Sequence, residues 1–185
     1  DDDDGRSDGG NGGDGDDGDD GDDDDGPTHW RVTLSVVPKD TGSWQTGATV
    51  EAVDLFKLPA ELPVEMAAMV TVNPPTAWRL LRDANLASGD WVIQNAANSA
   101  VGLHVIEMAR HLELHTVNVV RREELIKPLK EHGADVVVLE ESGYEKEIQS
   151  LTGGRAPVLA LNSVGGESAI RLLNALGEGG THITF

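Results

Sequence analysis

The sequence predicts an α/β fold with a parallel main sheet, on three observations. From Trp91 onward, short apolar strands alternate with helical segments, the order that crossovers between parallel strands require. Val158–Asn162 is continuous and apolar, as suits a strand covered on both faces. Between an apolar strand and an apolar helix, residues 96–102 form a loop of small side chains. About five strands are expected, and the chain has no internal repeat.

The first part of the chain is of another kind. Residues 1–26 hold 14 Asp, 9 Gly, one Arg, one Ser and one Asn. Nothing there can be buried to offset the entropy of ordering, so 1–27 is expected to be a disordered tail. It carries −13 of the formal −19 charge, leaving a mildly acidic −6 for the other 159 residues. No window fits an EF-hand calcium loop, and the tail has no Glu. Diffuse counter-ion attraction is the plain reading of such a run.

Composition also removes function classes. Without cysteine there is no disulfide, thiolate nucleophile or Cys-based zinc site. No apolar run reaches the ~18 residues of a membrane helix. A negative charge without a basic stripe argues against nucleic acid as a partner. The acidic start is unlike an Arg-rich transit peptide, and no targeting segment is readable.

The elements follow in order. Residues 28–58 read as strand-like, within a range of 28–62 set apart from the main sheet, with Val32, Leu34 and Val36 alternating and Ala48, Val50 and Ala52 alternating again. The stretch 38–47 between them reads as a turn. Pro63 suits the first turn of a helix with Met66, Ala67, Met69 and Val70 as its buried stripe. Asn73-Pro74-Pro75-Thr76 reads as a break, followed by a helix over 77–82 with Trp78 and Leu81 on one face.

The main sheet then begins, and residues 63–185 are expected to form the second domain. Strands are predicted at 91–95, 116–120, 136–139, 158–162 and 181–185. Helices are predicted after the 96–102 loop, carrying Val105, Ile106, Met108 and Ala109, then at 123–132 interrupted by Pro128, and at 169–176. Gly133 suits a helix C-cap. A doubly wound dinucleotide fold has six strands, so the sheet reads as incomplete and Phe185 as a truncation point.

The chemistry concentrates at the first of these strands. A dinucleotide pyrophosphate needs small residues so that backbone N–H groups and a helix N-terminus can approach it. Ala96-Ala97-Asn98-Ser99-Ala100-Val101-Gly102 supplies them, keeping only the last glycine of the usual trio. The alternative is a packing turn that binds nothing. The next strand ends in Arg121-Arg122, 19 and 20 residues beyond Gly102. NAD sites place an acidic residue there for the ribose hydroxyl, whereas two guanidiniums suit a 2′-phosphate. Solvated surface arginines are the alternative. His104, His111 and His115 lack a carboxylate among them and make a poor zinc site. Ser99 has no G-x-S-x-G context, and Trp30, Trp44, Trp78 and Trp91 are scattered as packing residues are.

Specific segments carry a resemblance. They are Val72-Asn73-Pro74-Pro75-Thr76-Ala77-Trp78, Gly89-Asp90-Trp91 through Gly102, Thr116–Arg121, and Leu159 through Gly166. Over residues 62–180 the chain resembles the mitochondrial trans-2-enoyl-thioester reductases of the medium-chain dehydrogenase/reductase superfamily, also called NADPH enoyl-acyl-carrier-protein reductases. The resemblance implies a Rossmann-type domain preceded by the last strands of a GroES-like catalytic domain. It implies NADPH as cofactor, contacted by Asn73 and by Asn98, Ser99, Ala100 and Val101, with Gly102 closing the loop. Arg121 would lie at the 2′-phosphate. The family often has Arg-Asp-Arg at that strand end, and here Arg122 would compensate for Glu123.

In the family, hydride passes from NADPH to Cβ of an enoyl thioester on acyl carrier protein or CoA. A tyrosine of the catalytic domain serves as proton donor. Tyr144 matches no such position, so no catalytic residue is assigned, and this chain alone is expected to be inactive. The intact protein is expected to be a mitochondrial homodimer. A quinone or alkenal reductase of the same superfamily, or a non-catalytic nucleotide-binding remnant, are the other readings.

Overall fold

A computed structural model describes residues 31–34, 42, 45–141 and 143–185. The acidic tail, Trp30, Trp44 and most of the 38–47 turn lie outside the described residues. Val92, Ile93, Val117, Val119, Leu159, Ala160 and Leu161 are all fully buried. Their three strands therefore need cover on both faces, and they form the centre of a sheet of five parallel strands. They are β3 (Trp91–Gln94), β4 (His115–Val120), β5 (Val136–Leu139), β6 (Leu159–Asn162) and β7 (Thr181–Thr184). Their order is β5-β4-β3-β6-β7, with β3 central. The chain moves outward from β3 to β5, then returns to the other side of β3 with β6. That reversal leaves a crevice at the carboxyl ends of β3 and β6, where ligands of open α/β sheets bind.

Side-chain alternation divides the core. On one face Val92, Leu159 and Leu161 pack with Leu80 and Leu81 of α2 (Asn73–Arg82) and Val105 and Ala109 of α3 (Ala100–His111). Ile106, Val120 and Leu129 extend this layer to α4 (Ile126–His132). On the other face Ile93, Val117, Val119 and Ala160 meet Ile148 of α5 (Ile148–Leu151) and Leu172 of α6 (Gly166–Ala175). Leu172 is fully buried, so Leu172→Ala is expected to cost about 2–5 kcal/mol in chemical denaturation. A loss under ~1 kcal/mol would mean that α6 does not close this face.

The parallel α/β sheet is as the sequence predicts, but several elements move. The second early strand is β2 (Leu55–Lys57), paired antiparallel with β1 (Val32–Leu34), and not the 48–52 stretch. Ala48 and Ala52 alternate with Val50 but are exposed, and Val50 is only half-buried, so burial does not hold them in a strand. Helix α1 (Val64–Met69) starts after Pro63 as expected, yet only Ala67 of its stripe is buried and Met66 is exposed. Asn73-Pro74-Pro75 does not break the chain. It begins α2, because a proline in the first turn lacks an N–H that would find no partner there. In α2 the buried face is Ala77, Leu80 and Leu81, whereas Trp78 is exposed. Pro128 likewise lies in the first turn of α4 rather than interrupting it. Gly133 caps α4 at φ 114°, in the left-handed region that glycine tolerates.

Candidate functional site: a cavity at the switch point

The loop after β3 is shaped by close approach. A Cβ on Gly102 would stand 2.5 Å from the Ala97 carbonyl oxygen and 2.8 Å from its carbon, so only glycine lets the loop cross α3. Ser99 is the N-cap of α3, its hydroxyl accepting from the Gly102 N–H at 3.1 Å. Ala100, Val101 and Gly102 form the first helical turn, and the dipole of this 12-residue helix favours an anion before it. Ala96 adopts φ 44°, an uncommon conformation for a residue with a side chain. Such strain persists where surrounding structure enforces it, often at binding sites.

Beside this loop lies a cavity of ≈ 470 Å³. Ala96 and Asn98 line it from the loop, and Arg121 from the end of β4. Glu140 and Glu141 enter after β5, and Ser163 to Gly165 after β6. Glu167 and Arg171 of α6 complete its charged lining. Three carboxylates and two guanidiniums thus face one space. Arg121 forms no ion pair among the described residues, so its charge is available to a ligand.

A buried amide network holds the crevice in shape. Asn95 Nδ2 donates to Asn162 Oδ1 at 2.7 Å and to Ser168 Oγ at 2.9 Å. Its Oδ1 accepts from the Ser163 N–H at 2.8 Å. Asn162 Oδ1 also accepts from the Val164 and Gly165 N–H groups at 3.2 and 3.0 Å. Asn162 Nδ2 donates to Thr184 Oγ1 at 3.0 Å, so one chain of contacts joins β3, β6, α6 and β7. On the other face Gln94 Nε2 donates to the Gly102 carbonyl at 3.0 Å and to Asn118 Oδ1 at 2.8 Å. The 96–102 loop is tied to the sheet by that amide. Unpaired buried groups cost about 1–3 kcal/mol each. Asn95→Leu, which strands several, is expected to lower stability by more than ~2 kcal/mol in a thermal melt. An unchanged melting temperature would contradict this role.

The residues singled out in the sequence have distinct places. Asn98 and Arg121 line the cavity. Ser99, Ala100, Val101 and Gly102 build the helix start beside it. Arg122 pairs with Glu124 at 3.4 Å and is not part of the lining. Asn73, the first residue of α2, lies outside the lining too, near a second cavity of ≈ 510 Å³ walled by Phe56, Leu58, Val70 and Pro75. Glu140, Arg171 and the Asn95–Asn162 pair join the site without a sequence motif that marks them. The amides lie at strand ends where apolar residues would be expected, and that was their signal. Glu140 and Arg171 come from a loop and a helix with no local pattern.

Tyr144, the sole tyrosine, is buried in the α6-side core, and its hydroxyl has no hydrogen-bond partner among the described residues. Burial pushes the phenol well up, and the charges of Glu140 and Glu145 add to this, so it stays protonated at neutral pH. Among the described residues, no group of three or more His, Cys, Asp or Glu could hold a metal ion, and no helix is long and apolar enough to cross a membrane.

Comparison with known proteins agrees with this geometry. The zinc-binding dehydrogenase family model matches residues 100–185. The five-stranded parallel sheet is that of a Rossmann-type domain, and over these residues the chain is similar to medium-chain dehydrogenase/reductase enzymes. Curated relatives of this chain are named mitochondrial enoyl-acyl-carrier-protein reductases. That of Xenopus tropicalis is 45% identical over 158 residues, covering 81% of this chain and 45% of that protein. The chain therefore spans less than half the length of the curated relatives it matches.

Solved structures are also similar to this chain. A complex of Etr1p, the 2-enoyl thioester reductase of Candida tropicalis, with NADP and crotonyl-CoA superposes with a TM-score of 0.64 at 29% identity. It covers 71% of this chain and 42% of that one. A quinone reductase structure from Bacillus thuringiensis gives a TM-score of 0.66 at 26% identity, over 73% of this chain and 41% of that one.

Proposed function

We propose that the chain is the NADP(H)-holding part of an enzyme that reduces trans-2-enoyl thioesters. The observation that carries the cofactor half is Arg121, an unpaired guanidinium in the cavity at the strand end that selects between dinucleotides. Asn98 and the first turn of α3 would hold the pyrophosphate, with Gly102 allowing the approach. Bound there, NADPH would supply the hydride. The chain's own part is to orient it, through the Gln94 and Asn95 networks, and to keep the crevice rigid. Asn73 and Arg122 would contribute at the margins, as the family resemblance implies. The residue ranges 1–27, 28–62 and 63–185 are proposed as tail, catalytic-domain strands and cofactor domain.

The substrate half rests on the relatives. Both the Xenopus tropicalis enzyme and the crotonyl-CoA complex are named for enoyl thioesters. An acyl-carrier-protein or CoA thioester is therefore proposed as substrate, with a mitochondrial location and a homodimer for the intact protein. The quinone reductase neighbour is the specific observation that favours the second reading. The two separate in one assay: loss of NADPH absorbance with crotonyl-CoA or with a small quinone, on the chain and on any longer protein containing it. Turnover of crotonyl-CoA is expected from the longer protein. Turnover of the quinone alone would overturn the reading.

A further inference from the structure

The strand-end pair Arg121-Arg122 delivers only one guanidinium to the cavity. Arg122 is turned to Glu124, while three carboxylates, Glu140, Glu141 and Glu167, share the lining with Arg121. One cation against three anions would disfavour a phosphate ester through the summed field of the site. The balance is altered from α6. Arg171 is half-buried and lines the same cavity from α6. One of its Nη atoms donates to the Glu140 backbone carbonyl, and it pairs with no carboxylate among the described residues. A guanidinium has five N–H donors, so this anchor fixes the group while leaving others for a ligand.

We propose that Arg171 is a specificity-determining residue of the cofactor site, a second guanidinium that reads the 2′-phosphate of NADP(H) together with Arg121. The proposal rests on the reading of this cavity as a dinucleotide site. Arg171 is not adjacent in sequence to any motif of such sites; the fold brings it there from a helix 50 residues beyond Arg121. Planar, bidentate recognition is the reason for arginine at both positions, because lysine offers the charge without the fork.

A purely structural Arg171 would only tie α6 to the loop after β5, and the two roles separate on paired probes. Calorimetric titration of the full chain with 2′,5′-ADP and with 5′-AMP isolates the 2′-phosphate. Arg171→Gln is expected to weaken 2′,5′-ADP about tenfold and to change 5′-AMP less than about twofold. Arg171→Lys, which keeps the charge and can still donate to the Glu140 carbonyl, should fold and lose only part of the preference, about threefold. It decides the matter should the Gln variant fail to fold. Equal weakening of both probes, or of neither, overturns the proposal. If Arg121→Gln removes the preference and neither Arg171 variant does, Arg171 alone is wrong and the cofactor site stands. If the unaltered chain binds neither probe, the cofactor reading falls and this proposal with it.

Discussion

Gly102→Val is expected to abolish nucleotide binding and to destabilise the domain by about 1–3 kcal/mol or more. Even an alanine Cβ would stand 2.5 Å from the Ala97 carbonyl oxygen, and the nearest atoms are backbone, which cannot swing aside. Valine adds two methyl groups to that clash. The first turn of α3 must then lift, carrying the Ser99 cap and the Gly102 carbonyl that Gln94 holds. Since a domain of this kind has ~5–15 kcal/mol of net stability, the fold should survive while the loop geometry does not. Circular dichroism on heating and NADPH titration read the two effects separately. Full NADPH affinity in the Gly102→Val variant would mean that the phosphates do not approach this turn.

Arg121→Ala is expected to weaken NADPH about 10- to 150-fold and NADH by less than about threefold. A charge-assisted hydrogen bond contributes about 1.5–3 kcal/mol, and 1.4 kcal/mol is a factor of ten. Only NADPH carries the group that Arg121 would meet. Competition between the two cofactors in a fluorescence titration measures the ratio. Equal losses would show that Arg121 supports the loop without reading the phosphate.

The central strands and the 96–102 loop were legible in the sequence because burial on both faces demands continuous apolar runs there. Val92, Ile93, Leu159, Ala160 and Leu161 leave no other reading of β3 and β6, and small residues over 96–102 fit only a tight crossing. The early part was less legible. Ala48, Val50 and Ala52 alternate without full burial, whereas β2 has only three residues to signal itself. Asn73-Pro74-Pro75 reads as a break until the helix start excuses the missing N–H groups. Tyr144 and α5 are short, aperiodic pieces, and their burial comes from packing under α6.

At the site, the arginine pair looked equivalent in sequence. Consecutive residues at a strand end point to opposite sides, so only Arg121 reaches the cavity. Arg171 could not be found by spacing, since the contact that brings it to Glu140 spans 31 residues.

The central claim is that this chain holds NADP(H) in the cavity between the β3 loop, β4 and α6. Isothermal titration of the unaltered chain with NADPH and with NADH tests it most directly. The account predicts one site per chain and an affinity for NADPH at least tenfold above that for NADH. No measurable heat with either cofactor, or equal affinity for both, would contradict it.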